Sequence, residues 1–380
     1  MHKLFFELEQ EAGLKQYGPS KEHRPNPIVQ MGLFMDKSGI PLAFCINKGN
    51  QNEQLSLKPL EQQIMKDFEL SRFVVCTDAG LSSDANRKFN NYGQRSFITT
   101  QSIKKLNNKL EEWALNSKDW HLEGCKDTFD ISKIDDTPEN RRKIFYKQTV
   151  IEGWDEERDI TFDQNLIVTF SLKYKFYQQN IRNNQVERAK KALETPTKIE
   201  RHSATDAKRF ITKTSVTYDG EIADKKNYDL NEDAIASEAV YDGFYAVCTN
   251  LDDDPADIAK INHNRWEIEE SFRIMKTEFH ARPVYLQRDD RIEAHFLTCF
   301  ISLLIYRILE KQLDEHFTCE ELVDTLRNMD MTVVGKEGYI PSYTRTELTD
   351  ALHKNADFHT DYELTTTKSM AGICRRTKGL

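Results

Sequence analysis

A single carboxylate set among cations is the feature of this chain best suited to chemistry. In residues 261–279 (INHNRWEIEESFRIMKTEF), Ile261, Ile268, Phe272, Met275 and Phe279 recur at the three-and-four spacing of a buried helix face. Displaced by one residue runs a second stripe of Asn262, Arg265, Glu269, Arg273 and Lys276. Side chains three and four apart are helix neighbours, so Glu269 is predicted one turn from Arg265 and Arg273 and two turns from Lys276. That row suits a metal-ligating carboxylate flanked by phosphate contacts. It also suits two ordinary ion pairs, each contributing roughly 0.2–0.5 kcal/mol.

Asp78 is the second carboxylate of interest. It follows Phe73-Val74-Val75-Cys76, a continuous apolar run of the kind buried on both faces of a sheet, which ends at Thr77-Asp78-Ala79-Gly80. Asp78 is therefore expected just past the carboxyl end of a strand, where ligands collect in α/β sheets. Gly80 is expected to let the chain turn away sharply. An aspartate that merely caps its own turn would occupy the same position.

The interval from Arg265 through Glu269 to Lys276 resembles the Y-x2-R-x3-E-x6-K signature of bacterial insertion-sequence DDE transposases. Asn262 stands where that signature has Tyr. The phrase VVCTDAGL around Asp78 resembles the second catalytic block of the same family. GIPLAFCINKGNQNE resembles the stretch between its first two acids. The resemblance runs over nearly the whole chain. It implies phosphodiester cleavage at insertion-sequence ends and joining of a 3′-hydroxyl to a new phosphate. Such chemistry uses two hard cations about 3.5–4 Å apart. Mg2+ or Mn2+ on oxygen ligands fits that demand. By resemblance, Asp78 and Glu269 are two of the three metal ligands, and Arg265 and Lys276 contact DNA. Arg273 is added to the DNA contacts from helix geometry. The implied partners are double-stranded terminal repeats and target DNA, with a homodimer on DNA allowed for and no membrane. The implied location is the bacterial cytoplasm, with nucleoid association when bound.

The third ligand is harder to find. In the family, the first Asp lies on the first core strand, just before an aromatic-rich run ending in Glu. Here that run is LFFELE, starting at Leu4, so the Asp position falls at or ahead of Met1. Glu7 and Glu9 lie further along the strand, and Asp36 reads as a turn residue. The expectation is an N-terminally truncated, impaired transposase. The competing expectation is a noncatalytic DNA-binding protein with the same fold. A hydrolytic ribonuclease H-like nuclease ranks third, because it has no need of the cationic stripe.

The elements that must position these residues follow from periodicity. A first strand opens with Leu4, and residues 28–35 and 40–46 form a hairpin around Asp36-Lys37-Ser38-Gly39. Ser56 is predicted to cap a helix burying Leu57, Leu60, Ile64 and Phe68. The strand before Asp78, a helix from Ser82 or Ser83 and a strand at 97–100 come next. Strands at 143–151 and 165–170, a helix near 186–193 and a core strand at 243–251 follow. Asp254 and Pro255 read as a helix start, and Thr318 with Glu321 as a capping box. This order matches an α/β, ribonuclease H-like mixed sheet flanked by helices. The expected organisation is a core of residues 1–104 and 240–285, a β-rich insertion at 105–239 and a C-terminal helical region at 286–380.

Composition bounds the rest. The 380 residues are 38% hydrophobic and 30% charged, with a net charge of −9, which argues against a wholly basic nucleic-acid coat but leaves room for a local basic groove. The stretch from Arg182 through Arg188, Lys190, Lys191, Arg201, Lys208 and Arg209 to Lys213 is a candidate for one. Seven scattered cysteines with no C-x-x-C pair read as reduced core residues in an intracellular protein, and no zinc site is expected. The most apolar run, 296–309, is too short to span a bilayer. His263 and His295 read as structural histidines, Trp266 as a packing residue, and the tail around Arg375, Arg376 and Lys378 as mobile.

Overall fold

The computed structural model describes residues 2–7, 10–19, 25–70, 73–156, 158–194, 206–216, 225–361 and 364–378. Two compact units make up the chain: Met1–Ile64 with Asn264–Leu380, and Met65–His263. Arg201 and Glu9 lie outside the described residues.

The first unit begins with β1 (His2–Phe5), β2 (Ile28–Met35) and β3 (Pro41–Lys48), an antiparallel sheet in that order. Central β2 is buried over most of its length. Its one deeply buried amide, Gln30, donates to the Gly49 and Gln51 carbonyls at 2.9 and 2.8 Å. The hairpin turn is where it was expected. Asp36 Oδ1 accepts from the Ser38 amide, the Ser38 hydroxyl and the Ile40 amide, and Gly39 takes φ +82°, a conformation that suits glycine. Asp36 is thus a turn residue. Helix α1 (Leu57–Asp67) buries Leu57 and Ile64, while Phe68 lies past its end and is exposed. Contrary to expectation, the Ser56 hydroxyl does not cap it but donates back to the Glu53 carbonyl at 2.7 Å.

In the second unit come β4 (Phe73–Thr77), α2 (Asp84–Asn90), β5 (Arg95–Gln101), α3 (Asn108–Leu115), β6 (His121–Leu122), β7 (Phe145–Asp155) and β8 (Ile160–Phe170). They are followed by α4 (Leu172–Leu193), β9 (Ile211–Val216), β10 (Lys225–Leu230), α5 (Glu232–Ala239), β11 (Phe244–Thr249) and α6 (Pro255–His263). A six-stranded mixed sheet runs β4-β5-β11-β8-β7-β6, with β4 and β5 parallel and the other pairs antiparallel. Strands β7 and β8, read from the sequence as part of an insertion, are hydrogen-bonded into this same sheet. Burial on both faces was expected of β4. As the edge strand it buries Val75 and Thr77 but exposes Val74. Strands β9 and β10 pair separately, and Ser171 caps the 22-residue α4 through the Tyr174 amide.

The first unit resumes with α7 (Trp266–Thr277), α8 (Asp289–Gln312), α9 (Cys319–Asn328), β12 (Met331–Val334), β13 (Gly338–Pro341), α10 (Glu347–Ala356), β14 (Thr365–Thr366) and α11 (Thr367–Lys378). Its core joins Leu4, Val29 and Met31 of the sheet to Phe272 and Met275 of α7 and Phe296 and Leu303 of α8. The capping box of Thr318 and Glu321 is present at α9. Two features here were not expected from the sequence. The region after residue 286 also holds a three-stranded sheet, β12-β13-β14, and the segment around Arg375 is helical, with Arg376 donating to the Asp357 carbonyl. Helix α8, at 24 residues, is long and apolar enough to cross a membrane by length and composition. It nevertheless buries Phe296, Leu303 and a charged Arg307 within the unit.

Candidate metal and DNA-contact residues

Asp78 sits one residue beyond β4, in extended conformation, and opens a single 3-10 turn at Ala79–Leu81. Its Oδ1 accepts from the Gly80 amide at 2.9 Å and the Leu81 amide at 3.2 Å. The carboxylate is exposed, and its Oδ2 takes no hydrogen bond among the described residues. Capping thus occupies one oxygen of the group and leaves the other without a hydrogen bond among the described residues. Gly80 was expected to serve a sharp turn, yet its φ is not in the left-handed region. A Cβ there would lie 3.0 Å from Asp78 Oδ1. What the glycine provides is room for the carboxylate.

One continuous helix was expected over 261–279, and the chain interrupts it at Asn264 and Arg265. Two different cores pull on the two halves. Helix α6 buries Ile258 against Ile98, Ile167 and Val247 of the six-stranded sheet. Asn262, at the signature's Tyr position, is buried too and accepts from Cys76 Sγ of β4 at 3.8 Å. Helix α7 instead buries Phe272, Ile274 and Met275 in the first unit, with Ile268 and Phe279 packed alongside. Ile261, counted in the apolar seam, ends up exposed.

Glu269 lies in the first turn of α7, exposed, with neither a hydrogen bond nor an ion pair among the described residues. The two ion pairs weighed from the sequence are thus not formed. Arg273 pairs with Glu270 instead, at 3.2 Å, and both guanidinium and carboxylate are in contact with solvent. Arg265 occupies the N-cap position and Lys276 the last turn, both half-buried. The N-terminal end of a helix favours acidic side chains, which is consistent with Glu267 and Glu269 in this turn.

Two contacts fix how α7 is held. Arg307 of α8, only 5% exposed at its side chain, donates to Glu310 Oε2 at 2.7 Å, Ser271 Oγ at 2.9 Å, Glu270 Oε2 at 3.2 Å and the Glu267 carbonyl at 3.3 Å. At the other side of the first turn, a Cβ on Gly39 would fall 1.7 Å from Glu267 Oε2, so the hairpin tip abuts that carboxylate directly. Burial pushes the Glu267 carboxyl above its ordinary range, against the opposing pull of Lys311 and Arg307. Neither Arg307 nor the hairpin contact was singled out from the sequence. A lone arginine inside an apolar helical run was the available signal.

Other residues named from the sequence resolve into structure. Arg182 is paired with Asp242 at 2.5 Å, both nearly buried, and Arg209 makes two bonds to Glu238, whose carboxyl it holds below the usual range. Two arginines of the basic stretch are therefore neutralised inside the fold. His295 is satisfied by the Ala281 carbonyl at 3.2 Å, whereas His263 is exposed. Trp266 is half-exposed at the start of α7.

Among the described residues, an exposed carboxylate with one oxygen not hydrogen-bonded and a second carboxylate without a partner are suitable donors for a hard divalent cation. Asp78 belongs to one compact unit, and Glu269, Arg265, Arg273 and Lys276 to the other. The family model described as "Transposase DDE domain" matches residues 10–305 of the chain. No curated protein matches it.

Proposed function

Because the chain belongs to the DDE transposase domain family, we propose that it cuts and joins double-stranded DNA at the ends of a bacterial insertion sequence, on a ribonuclease H-like core. The observation carrying this reading is Glu269: exposed, unpaired among the described residues, and followed along its helix by Arg273 and Lys276. Asp78 and Glu269 are two of the metal ligands, through Asp78 Oδ2 and the Glu269 carboxylate. Mg2+ or Mn2+ bound there would neutralise charge on the attacking and leaving oxygens. The Gly80 and Leu81 amides keep Asp78 in one rotamer. Arg265, Arg273 and Lys276 attract and orient the phosphate backbone, with Arg307 holding their helix in place.

The test is metal-dependent cleavage and strand transfer on a duplex bearing terminal repeats, comparing the unaltered protein with Asp78→Asn and Glu269→Gln. Both variants are expected to lose turnover by at least about a hundredfold while retaining DNA affinity. Full activity in Glu269→Gln refutes the site. A noncatalytic DNA-binding role is the second reading, because Asp78 Oδ1 is already committed to two amides and no third carboxylate is assigned. Salt-sensitive DNA binding by the unaltered protein without any metal-dependent cleavage would establish it.

A further inference from the structure

A different set of groups gathers after α10. His353 lies in the last turn of that helix, and Asp357, at φ 53°, reverses the chain beyond it. The reversal brings His359 and Asp361 back toward His353. One ligand atom from each of the three residues lies within 4.8 Å of the others.

The side chains of His353 and Asp361 are each only 1% exposed. His353 Nδ1 faces Asp361 Oδ2 at 3.2 Å, yet among the described residues Nδ1 and both Asp361 oxygens are buried without a hydrogen-bond partner. Arg345 is within ion-pair range of this carboxylate but is shared with a second one. Arg345 approaches Asp361 Oδ2 only to 3.8 Å, and its guanidinium is bound through two bonds to Asp350, at 2.5 and 3.0 Å. Meanwhile His353 Nε2 is engaged on its far side by the Thr360 hydroxyl at 3.0 Å and the Tyr343 hydroxyl at 3.4 Å, themselves 2.8 Å apart. That arrangement fixes the ring with Nδ1 turned toward Asp361, the kind of outer support that holds a metal-ligating histidine.

We propose that His353, His359 and Asp361 bind one zinc ion, which clamps the loop after α10 to that helix. Two imidazoles and one carboxylate suit a borderline cation such as Zn2+ and not Mg2+, which prefers oxygen donors. Exposed His359 provides the entrance, and water completes the tetrahedron. No cysteine takes part, so cysteine spacing could not reveal the site. The spacing His-x5-His-x-Asp was its only trace in the sequence.

The experiment uses the full chain, stripped by chelator, dialysed, and titrated with ZnCl2 against a chromophoric chelator. One zinc per chain and a rise in melting temperature with zinc are expected. His359→Gln, an exposed change that leaves the buried pair intact, and Asp361→Asn should each weaken zinc binding by at least about tenfold. The titration reads zinc bound and not DNA cleavage, which separates this result from the fate of the transposase reading. Failure to bind zinc, or equal affinity in His359→Gln, overturns the proposal and leaves a buried histidine–aspartate pair. Visible d–d absorption of the cobalt-substituted chain typical of tetrahedral coordination is the confirming signature.

Discussion

Replacing Arg307 with Met should destabilise the first unit far more than any surface arginine change. Its guanidinium connects Glu310, Glu270 and Ser271 across α7 and α8. Glu310 is 13% exposed at its side chain and Ser271 fully buried, so methionine would leave the carboxylate with the Tyr306 hydroxyl but no countercharge and take the arginine away from a buried hydroxyl. Breaking one partner of a buried ion pair costs about 3–5 kcal/mol. A solvent-facing pair contributes about 0–1 kcal/mol, and Arg273–Glu270 is of that second kind because Arg273 is 64% exposed. Urea unfolding should therefore register about 3–5 kcal/mol for Arg307→Met and under about 1 kcal/mol for Arg273→Ala. Amide exchange should place the excess opening in α7 and α8. Adding Glu310→Gln to Arg307→Met removes the stranded charge and should restore about 1–3 kcal/mol. A loss below about 1 kcal/mol in Arg307→Met would refute the view that this residue holds the Glu269 helix.

Three further outcomes are expected. Gly80→Ala puts a Cβ 3.0 Å from Asp78 Oδ1; a carboxylate displaced by a few tenths of an ångström should lower cleavage about tenfold with no change in melting temperature. Arg273→Ala should weaken DNA binding equally for all sequences and reduce the slope of log affinity against log salt by about 1. Lys147 gives a pH signature, since burial pushes its ammonium down to about 8 from the ordinary 10.5 although the Trp113 and Asn116 carbonyls accept from it. The unfolded chain then binds more protons between those values, so stability should rise with pH from 8 to 10.5, by up to about 3 kcal/mol. Comparison with Lys147→Met, which lacks the titrating group, isolates that rise in denaturation curves.

Local chemistry made much of this legible in advance. The hairpin turn at Asp36 and Gly39, the helix start at Asp254 and Pro255 and the capping box at Thr318 each depend on a few adjacent residues, and each is present. The interruption at Asn264 and Arg265 was not legible, because neither residue is a helix breaker. It arises where α6 and α7 bury against different cores, a long-range cause with no local mark. Burial of β4 was misjudged for a related reason. Apolar content cannot distinguish an edge strand from a central one, and Val74 is exposed at the edge. Glu269 stood out by its spacing, but the spacing favoured ion pairs to Arg265 and Arg273 that are not formed among the described residues. Arg307 and the cluster at His353 escaped because their partners lie on other elements or in loops.

The turn at Asp78 carries one more implication. Two backbone amides already immobilise this side chain, so capturing a cation there would cost little additional conformational entropy. Such preorganisation also tells which substitution is informative. Asparagine can keep its carbonyl oxygen on both amides and removes only the negative charge, whereas alanine would unfasten the turn as well, mixing a lost ligand with a loosened backbone.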